Sequence, residues 1–252
     1  MTHALFSRVV SGLAVCGFAA IAVGIVTADS PEAPKLSAVA SVEALNAAAA
    51  EYLADIQPLV ADEGAYKAGA EQAAQKANAL VALAQVLGNH DGASPYKAGA
   101  AEMMTAAATL SRAKDFASAK AAWGALDAAS KKTDPGATPK WEKAARLGML
   151  MEEVQVLNND LRRGLRRIER NKEAGARDAA VLAAFAQAAL YDTHEVKNPA
   201  DLPKWSAMMS EMHDAATELS GHFAAADEPA TTKSLDRLEK SCATCHDVFH
   251  NE

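Results

Sequence analysis

Residues 147–168, LGMLMEEVQVLNNDLRRGLRRI, decide the fold. Leu147, Leu150, Met151, Val154, Leu157, Leu161, Leu165 and Ile168 recur at the spacing that lays side chains along one stripe of an α-helix. Glu152, Glu153, Arg162, Arg163, Arg166 and Arg167 flank that stripe, as expected of a helix with one buried and one wet face. Outward from this stretch the same pattern continues in both directions. Breaks fall at 62–64, 88–95, 113–115, 133–139, 171–175, 192–203 and 226–230, and all but 113–115 carry Pro or Gly. Between them the spacing predicts helices over 36–61, 65–87, 96–112, 116–131, 140–170, 176–191, 203–224 and 230–249. Composition agrees: 50% of the 252 residues are hydrophobic but only 5% aromatic, and alanine is abundant, which favours helix over all-β folds.

The predicted helices divide into two matching sets. Ala33-Pro34-Lys35-Leu36 pairs with Thr138-Pro139-Lys140-Trp141, and Met103-Met104 with Met208-Met209. Ala82-Leu83-Ala84-Gln85 resembles Ala184-Phe185-Ala186-Gln187, and Ser130-Lys131-Lys132-Thr133-Asp134 falls where Cys242-Ala243-Thr244-Cys245-His246 falls. Order is kept throughout, so an internal repeat is expected. The expectation is an all-α chain of two tandem antiparallel four-helix bundles, over 33–134 and 138–252.

The N-terminus reads as an export signal. Residues 1–8 carry one Arg, residues 9–26 carry no charge, and Val26 and Ala28 are the small residues a signal peptidase needs, which places cleavage after Ala28. Left uncleaved, 1–28 would instead be a membrane anchor, since 18 apolar residues nearly span a bilayer. Leu13-Ala14-Val15-Cys16 is a poor lipobox because Val15 is too large and the apolar run continues beyond it. In either case the bulk of the chain is expected outside the cytoplasm, in the periplasm. With 25 basic against 32 acidic residues the net charge is −7, which argues against a nucleic-acid partner.

Chemistry concentrates in Cys242-Ala243-Thr244-Cys245-His246, a C-x-x-C-H motif of the kind that attaches a c-type haem. Two thiols three positions apart can add across the vinyl groups on one porphyrin edge, and the adjacent His246 then reaches the iron. A thioredoxin-like role for C-x-x-C needs a βαβ context, which is missing. Zinc on Cys242, Cys245, His246 and His250 is conceivable, but Cys245 and His246 are neighbours and would strain a tetrahedral site. A plain disulfide leaves His246 without a purpose. One covalent haem c per chain is the expectation, with no catalytic residues: neither a triad, a phosphate loop nor paired carboxylates in an evident cleft is present.

A single C-x-x-C-H near the C-terminus, on the last helix of a four-helix bundle, resembles the cytochrome c′ superfamily. The likeness is best over 138–252, from Leu235 through Ser241 into CATCHDVF. It is weaker over 33–134, where Ala122-Trp123-Gly124-Ala125-Leu126 looks like the stretch before the motif but Ser130, Thr133 and Asp134 replace Cys, Cys and His. The resemblance therefore implies a first bundle that has lost its haem. It also implies that the first helix of the second bundle covers the distal face of the haem. A Met there gives a six-coordinate electron carrier; an apolar residue gives a five-coordinate protein that binds nitric oxide or carbon monoxide. Met151 lies on the inward stripe, and the run from Met151 to Gly164-Leu165 is similar to Met-ligated relatives. Met149 is the peripheral rival, and Met151 as plain core filler is the alternative to both. Arg146 is the residue the resemblance would place near a haem propionate, against an ordinary solvated charge.

Trp205, Met208, Met209, Met212 and Phe223 read as core, some of it touching the porphyrin; His194, His213 and His222 read as surface histidines, and His250 as pointing to solvent. The expected role is one-electron transfer between redox partner proteins. The alternatives are gas binding and a haem subunit docked to a larger redox complex. Relatives of this kind often dimerise through that first helix, so a homodimer is implied, or a chain whose own first half occupies the face.

Overall fold

The computed structural model describes Leu36 and residues 40–250; residues 1–28, read above as signal or anchor, lie outside the described residues. The chain is 77% helix with no strand among the described residues. Its helices are α1 (Val42–Leu59), α2 (Glu63–Asn89), α3 (Ala100–Leu110), α4 (Phe116–Ser130), α5 (Leu147–Leu165), α6 (Ile168–Ala189), α7 (Leu202–Ala224) and α8 (Glu228–Phe249), with 3-10 turns at Lys97–Gly99 and Pro199–Asp201. No described helix is long and apolar enough to cross a membrane.

Several of these helices start on a side-chain cap. Ser41, Asp62, Asp115 and Asp227 accept hydrogen bonds from the backbone N–H of Ala44, Ala65, Ser118 and Ala230, at 3.2, 2.9, 2.7 and 3.1 Å. Each such cap is worth about 1 kcal/mol. Successive helices pack on each other within α1–α4 and within α5–α8, and α5 also meets α8. The two sets meet through α1 and α2 on one side and α5 and α6 on the other, in the pairs α1–α6, α2–α5 and α2–α6. Exchanging α1 with α5 and α2 with α6 leaves that list unchanged, as a two-fold relation between similar halves requires. The apolar core is continuous across this seam, from Leu45 and Ile56 through Leu80 and Leu83 to Leu182, Phe185 and Leu219, and the described residues form one compact unit.

Two predicted boundaries are corrected. The helix expected over 140–170 starts only at Leu147, and residues 139–146 run as an irregular segment along α2. That segment is held by amide side chains. Gln85 Nε2 donates to the carbonyls of Lys140 and Glu142 at 2.8 and 2.9 Å, and Asn89 Nδ2 to that of Pro139 at 3.0 Å. These bonds satisfy backbone groups that a helix would otherwise have consumed. The second correction is the α5–α6 break, expected at 171–175 and found at Arg166–Arg167. Gly175 lies inside α6 because a Cβ there would come within 2.3 Å of the fully buried Phe223 ring of α7. The glycine permits close helix packing and does not interrupt the chain.

Candidate functional site

α8 carries the C-x-x-C-H residues and is fastened to its neighbours. Arg237 forms a two-pronged pair with Glu211 of α7 at 2.7 and 2.8 Å and reaches Glu218 at 2.7 Å. Arg162 of α5 donates to Glu239 at 2.5 Å. Cys242 and Cys245 are one helical turn apart, so both thiols leave α8 on the same side. Both are free and half-buried, and His246 beside them is exposed. Burial, with the neighbouring Cys242 adding to it, pushes the Cys245 thiol up to about 11. Burial also raises Cys242, partly opposed by a hydrogen bond with Ser241. Both sulfurs are therefore protonated at neutral pH.

A cavity of about 480 Å³ opens between α5, α7 and α8, inside the range of roughly 300–1,000 Å³ usual for small-molecule sites. Cys242, Cys245 and His246 lie along one wall with Leu238 and Phe249. The α5 wall supplies Leu147, Met151, Val154 and Asn158, and between them stand Leu182, Trp205, Met208, Met209 and Met212. The apolar end is well organised: Trp205 donates from Nε1 to the Ala189 carbonyl at 3.1 Å and meets the Phe249 ring edge-on at 5.2 Å. The other end is polar, with Gln155, Asn158, Arg162 and Glu239. Asn158 Oδ1 is buried there without a hydrogen-bond partner among the described residues.

This is a mostly apolar slot with two thiols and an imidazole on one side and a thioether on the other. That donor set is compatible with a flat apolar cofactor attached through the thiols, with the His246 imidazole and the Met151 thioether as further donors at the same cavity. It does not present a cluster of three or more His, Cys, Asp and Glu groups that could hold a bare metal ion, among the described residues. No family model, no curated protein and no solved structure matches the chain.

The structure brings four of the five expected site residues together: Cys242, Cys245, His246 and Met151 all line the cavity. Met149 does not line it, and neither does Arg146. The Arg146 guanidinium donates instead to the Ser111 carbonyl at 2.7 Å, across the seam; the arginine at the cavity is Arg162. Of the core residues expected near the cofactor, Trp205 and the three methionines line the cavity, whereas Phe223 packs at Gly175. His213, expected on the surface, is buried at 8% exposure, with Nδ1 2.8 Å from Asp214. His222 is partly buried against Ser234 Oγ at 2.7 Å. His194 is exposed, between Asp192 at 2.6 Å and Glu195 at 2.9 Å. His250 is exposed yet also lines the cavity, its ring 5.6 Å from that of His246. Sequence reading missed Glu195, which a loop brings to the rim, because loop geometry has no periodic signal.

The first half is built differently at the corresponding positions. The residue paired with Met151 by the repeat is Asn46, which accepts a hydrogen bond from Ser94 at 2.6 Å. His90 is buried in the same loop, donating from Nε2 to the Ala40 carbonyl at 3.1 Å while Nδ1 accepts from Gly92 N–H at 2.8 Å. At the end of α4, where the motif would lie, a Cβ on Gly99 would fall 1.9 Å from the Ala129 carbonyl oxygen. The 3-10 turn is thus pressed onto the α4 terminus. A groove between α3 and α4 exists, but alanines dominate its lining and neither Cys, His nor Met contributes to it.

Proposed function

We propose that the protein is an exported monohaem c-type cytochrome of the cytochrome c′ kind, two four-helix bundles in tandem, which carries single electrons between redox partner proteins outside the cytoplasm. The observation that supports this is the one cavity that faces Cys242, Cys245 and His246 with Met151. Cys242 and Cys245 would hold haem c by thioether bonds, each thiol adding its S–H across a vinyl group. His246 would be the proximal ligand and Met151 the distal one. When bound, the haem iron supplies a one-electron couple. Leu147, Val154, Leu182, Trp205 and Met209 would pack on the bound ring and exclude water, while His246 and Met151 would each offer a donor to the iron. A neutral thioether favours the reduced state and so raises the potential. Ser130, Thr133 and Asp134 in place of the motif, with the tight packing of Gly99 on α4, support one haem per chain.

Mass spectrometry of the exported protein tests the assignment. One added haem on a chain beginning after Ala28 is expected; retention of 1–28 would point to the anchored form. A bare polypeptide, or two haems, would overturn it. Replacing Cys242 and Cys245 together by Ser should abolish covalent attachment. The reduced spectrum then separates carrier from gas binder: a low-spin spectrum unmoved by carbon monoxide supports Met151 ligation, and a high-spin spectrum that shifts with carbon monoxide supports the open site.

A further inference from the structure

The helix that carries Met151 is positioned from outside its own half. Asn78 of α2 accepts a hydrogen bond from the Arg146 N–H at 2.8 Å and donates to the Arg146 carbonyl at 3.0 Å. Arg146 is the residue immediately before α5, so this pair fixes where the helix begins. The Arg146 side chain adds its bond to Ser111, also in the first half. One more grip lies two residues beyond Met151. Glu153 is 3% exposed, and its two carboxylate oxygens accept from the Tyr52 hydroxyl of α1 at 2.7 Å and from Gln75 Nε2 of α2 at 2.9 Å.

Two residues along a helix are about 200° around it, so Met151 and Glu153 leave α5 on nearly opposite sides. One enters the cavity and the other enters the seam. Clamping Glu153 therefore sets the rotation of Met151, while Asn78 sets the position along the axis. With side chains ending about 5–6 Å from the axis, a rotation of about 20° would move the Met151 tip by about 2 Å. That is enough to separate a bound from an unbound sulfur. Bonds to a buried carboxylate are among the stronger neutral-donor contacts, so they can resist such a rotation. Other seam contacts, such as Arg177 with Glu51 at 2.9 Å, join the halves without touching α5.

We infer that the first half serves as a positioning device for the distal ligand: Tyr52, Gln75 and Asn78 hold α5 in the rotation and register that aim the Met151 thioether into the cavity. The inference rests on the reading of Met151 as an iron ligand and gives the haemless half a role in that same site. Tyr52, Gln75 and Asn78 are positioning residues, since none of them lines the cavity.

The test uses the full haem-loaded chain with Tyr52→Phe, with the double variant Tyr52→Phe/Asn78→Ala, and with Arg177→Ala as a seam control. Spin state, reduction potential, carbon monoxide binding and hydrogen exchange of the α5 amides are measured for each. The Tyr52 variant should gain carbon monoxide binding by about tenfold, the factor that corresponds to one lost hydrogen bond to a charged group, and the double variant, which also loses both Asn78 bonds to Arg146, should gain more. Their potential should fall and α5 should exchange faster, while the Arg177 variant keeps the wild-type spectrum. Should the double variant fail to fold, Tyr52→Phe alone, which removes only a hydroxyl, decides. A low-spin wild type whose variants keep their spectrum and potential would overturn the positioning role and leave Met151 ligation standing, as would an equal change in the Arg177 control. A wild type that is high-spin would overturn the ligand reading and the positioning role together.

Discussion

Replacing Met151 by Ala distinguishes a ligand from a packing residue, because the two roles predict different observables. Met151 is half-buried, lines the cavity and packs against the small cluster of Leu147, Trp205 and Met209. Full burial would make Met→Ala cost about 2–5 kcal/mol; half burial brings the expectation to about 1–2 kcal/mol. That loss appears in denaturant unfolding whether or not the sulfur binds iron. Ligation adds a second, separate effect. With the thioether gone the iron loses an axial group, so the spectrum should turn high-spin, carbon monoxide should bind, and the potential should fall. Met149→Ala is the matched control, since Met149 is on the same turn but does not line the cavity. It should leave spin state and potential where they were. An unfolding loss of the expected size in Met151→Ala with an unchanged low-spin spectrum would refute ligation and make Met151 core filler.

Two further outcomes concern stability. Burial pushes Asp178 up to about 6, with Glu51 and Glu153 adding to the shift and Arg177 opposing it. A folded-state value above the unfolded one means the native state holds the proton longer, so this group's stabilisation is present in acid and is lost as pH rises from about 4 to about 6; the shift sets an upper bound of about 3 kcal/mol. Asp178→Asn should flatten that part of the pH–stability curve relative to wild type, and parallel curves would refute the assignment. At the α6–α7 crossing, Gly175→Ala places a Cβ 2.3 Å from the buried Phe223 ring; unfolding should show a loss of about 1–3 kcal/mol from overpacking, and an unchanged melting temperature would show that the crossing can relax.

The helical class and most helix positions were legible because amphipathic spacing is a local property. The starts of α2 and α4, behind Asp62 and Asp115, needed only a capping carboxylate in the right place. The cavity wall was legible for a related reason. Cys242, Cys245 and His246 are consecutive on one helical face, and Met151 is on a stripe that can be counted. What was illegible depends on partners distant in sequence. Residues 140–146 have acceptable helix formers, and nothing local reveals that Asn78, Gln85 and Asn89 of another helix take their backbone groups. Gly175 looks like a breaker until Phe223 is placed against it. Arg146 stands directly before the cavity helix, but its guanidinium is turned to the Ser111 carbonyl of the first half and does not line the cavity. His213 has polar neighbours in sequence, yet the α7 face it shares with Trp205, Met209 and Met212 is inward.

The paired positions Gln85 and Gln187 show how two similar halves come to differ. Both are 1% exposed, and both follow an apolar run that ends in the same Ala-Gln dipeptide. Gln85 binds two carbonyls of the segment leading into α5, whereas neither polar atom of Gln187 has a hydrogen-bond partner among the described residues. A buried amide left in that state costs about 1–3 kcal/mol. The matching residue in the first half offsets its burial because a connecting segment exists there for it to hold. The segment that Gln85 holds is the connection between α4 and α5, residues 139–146. The amides of α2 thus become the grip on the helix that bears Met151, while the α6 position keeps the residue without the contact. The asymmetry runs in the same direction as the chemistry: α2 of the first half supplies the recognition of the junction, and α5 and α8 of the second supply the donors that face the cavity.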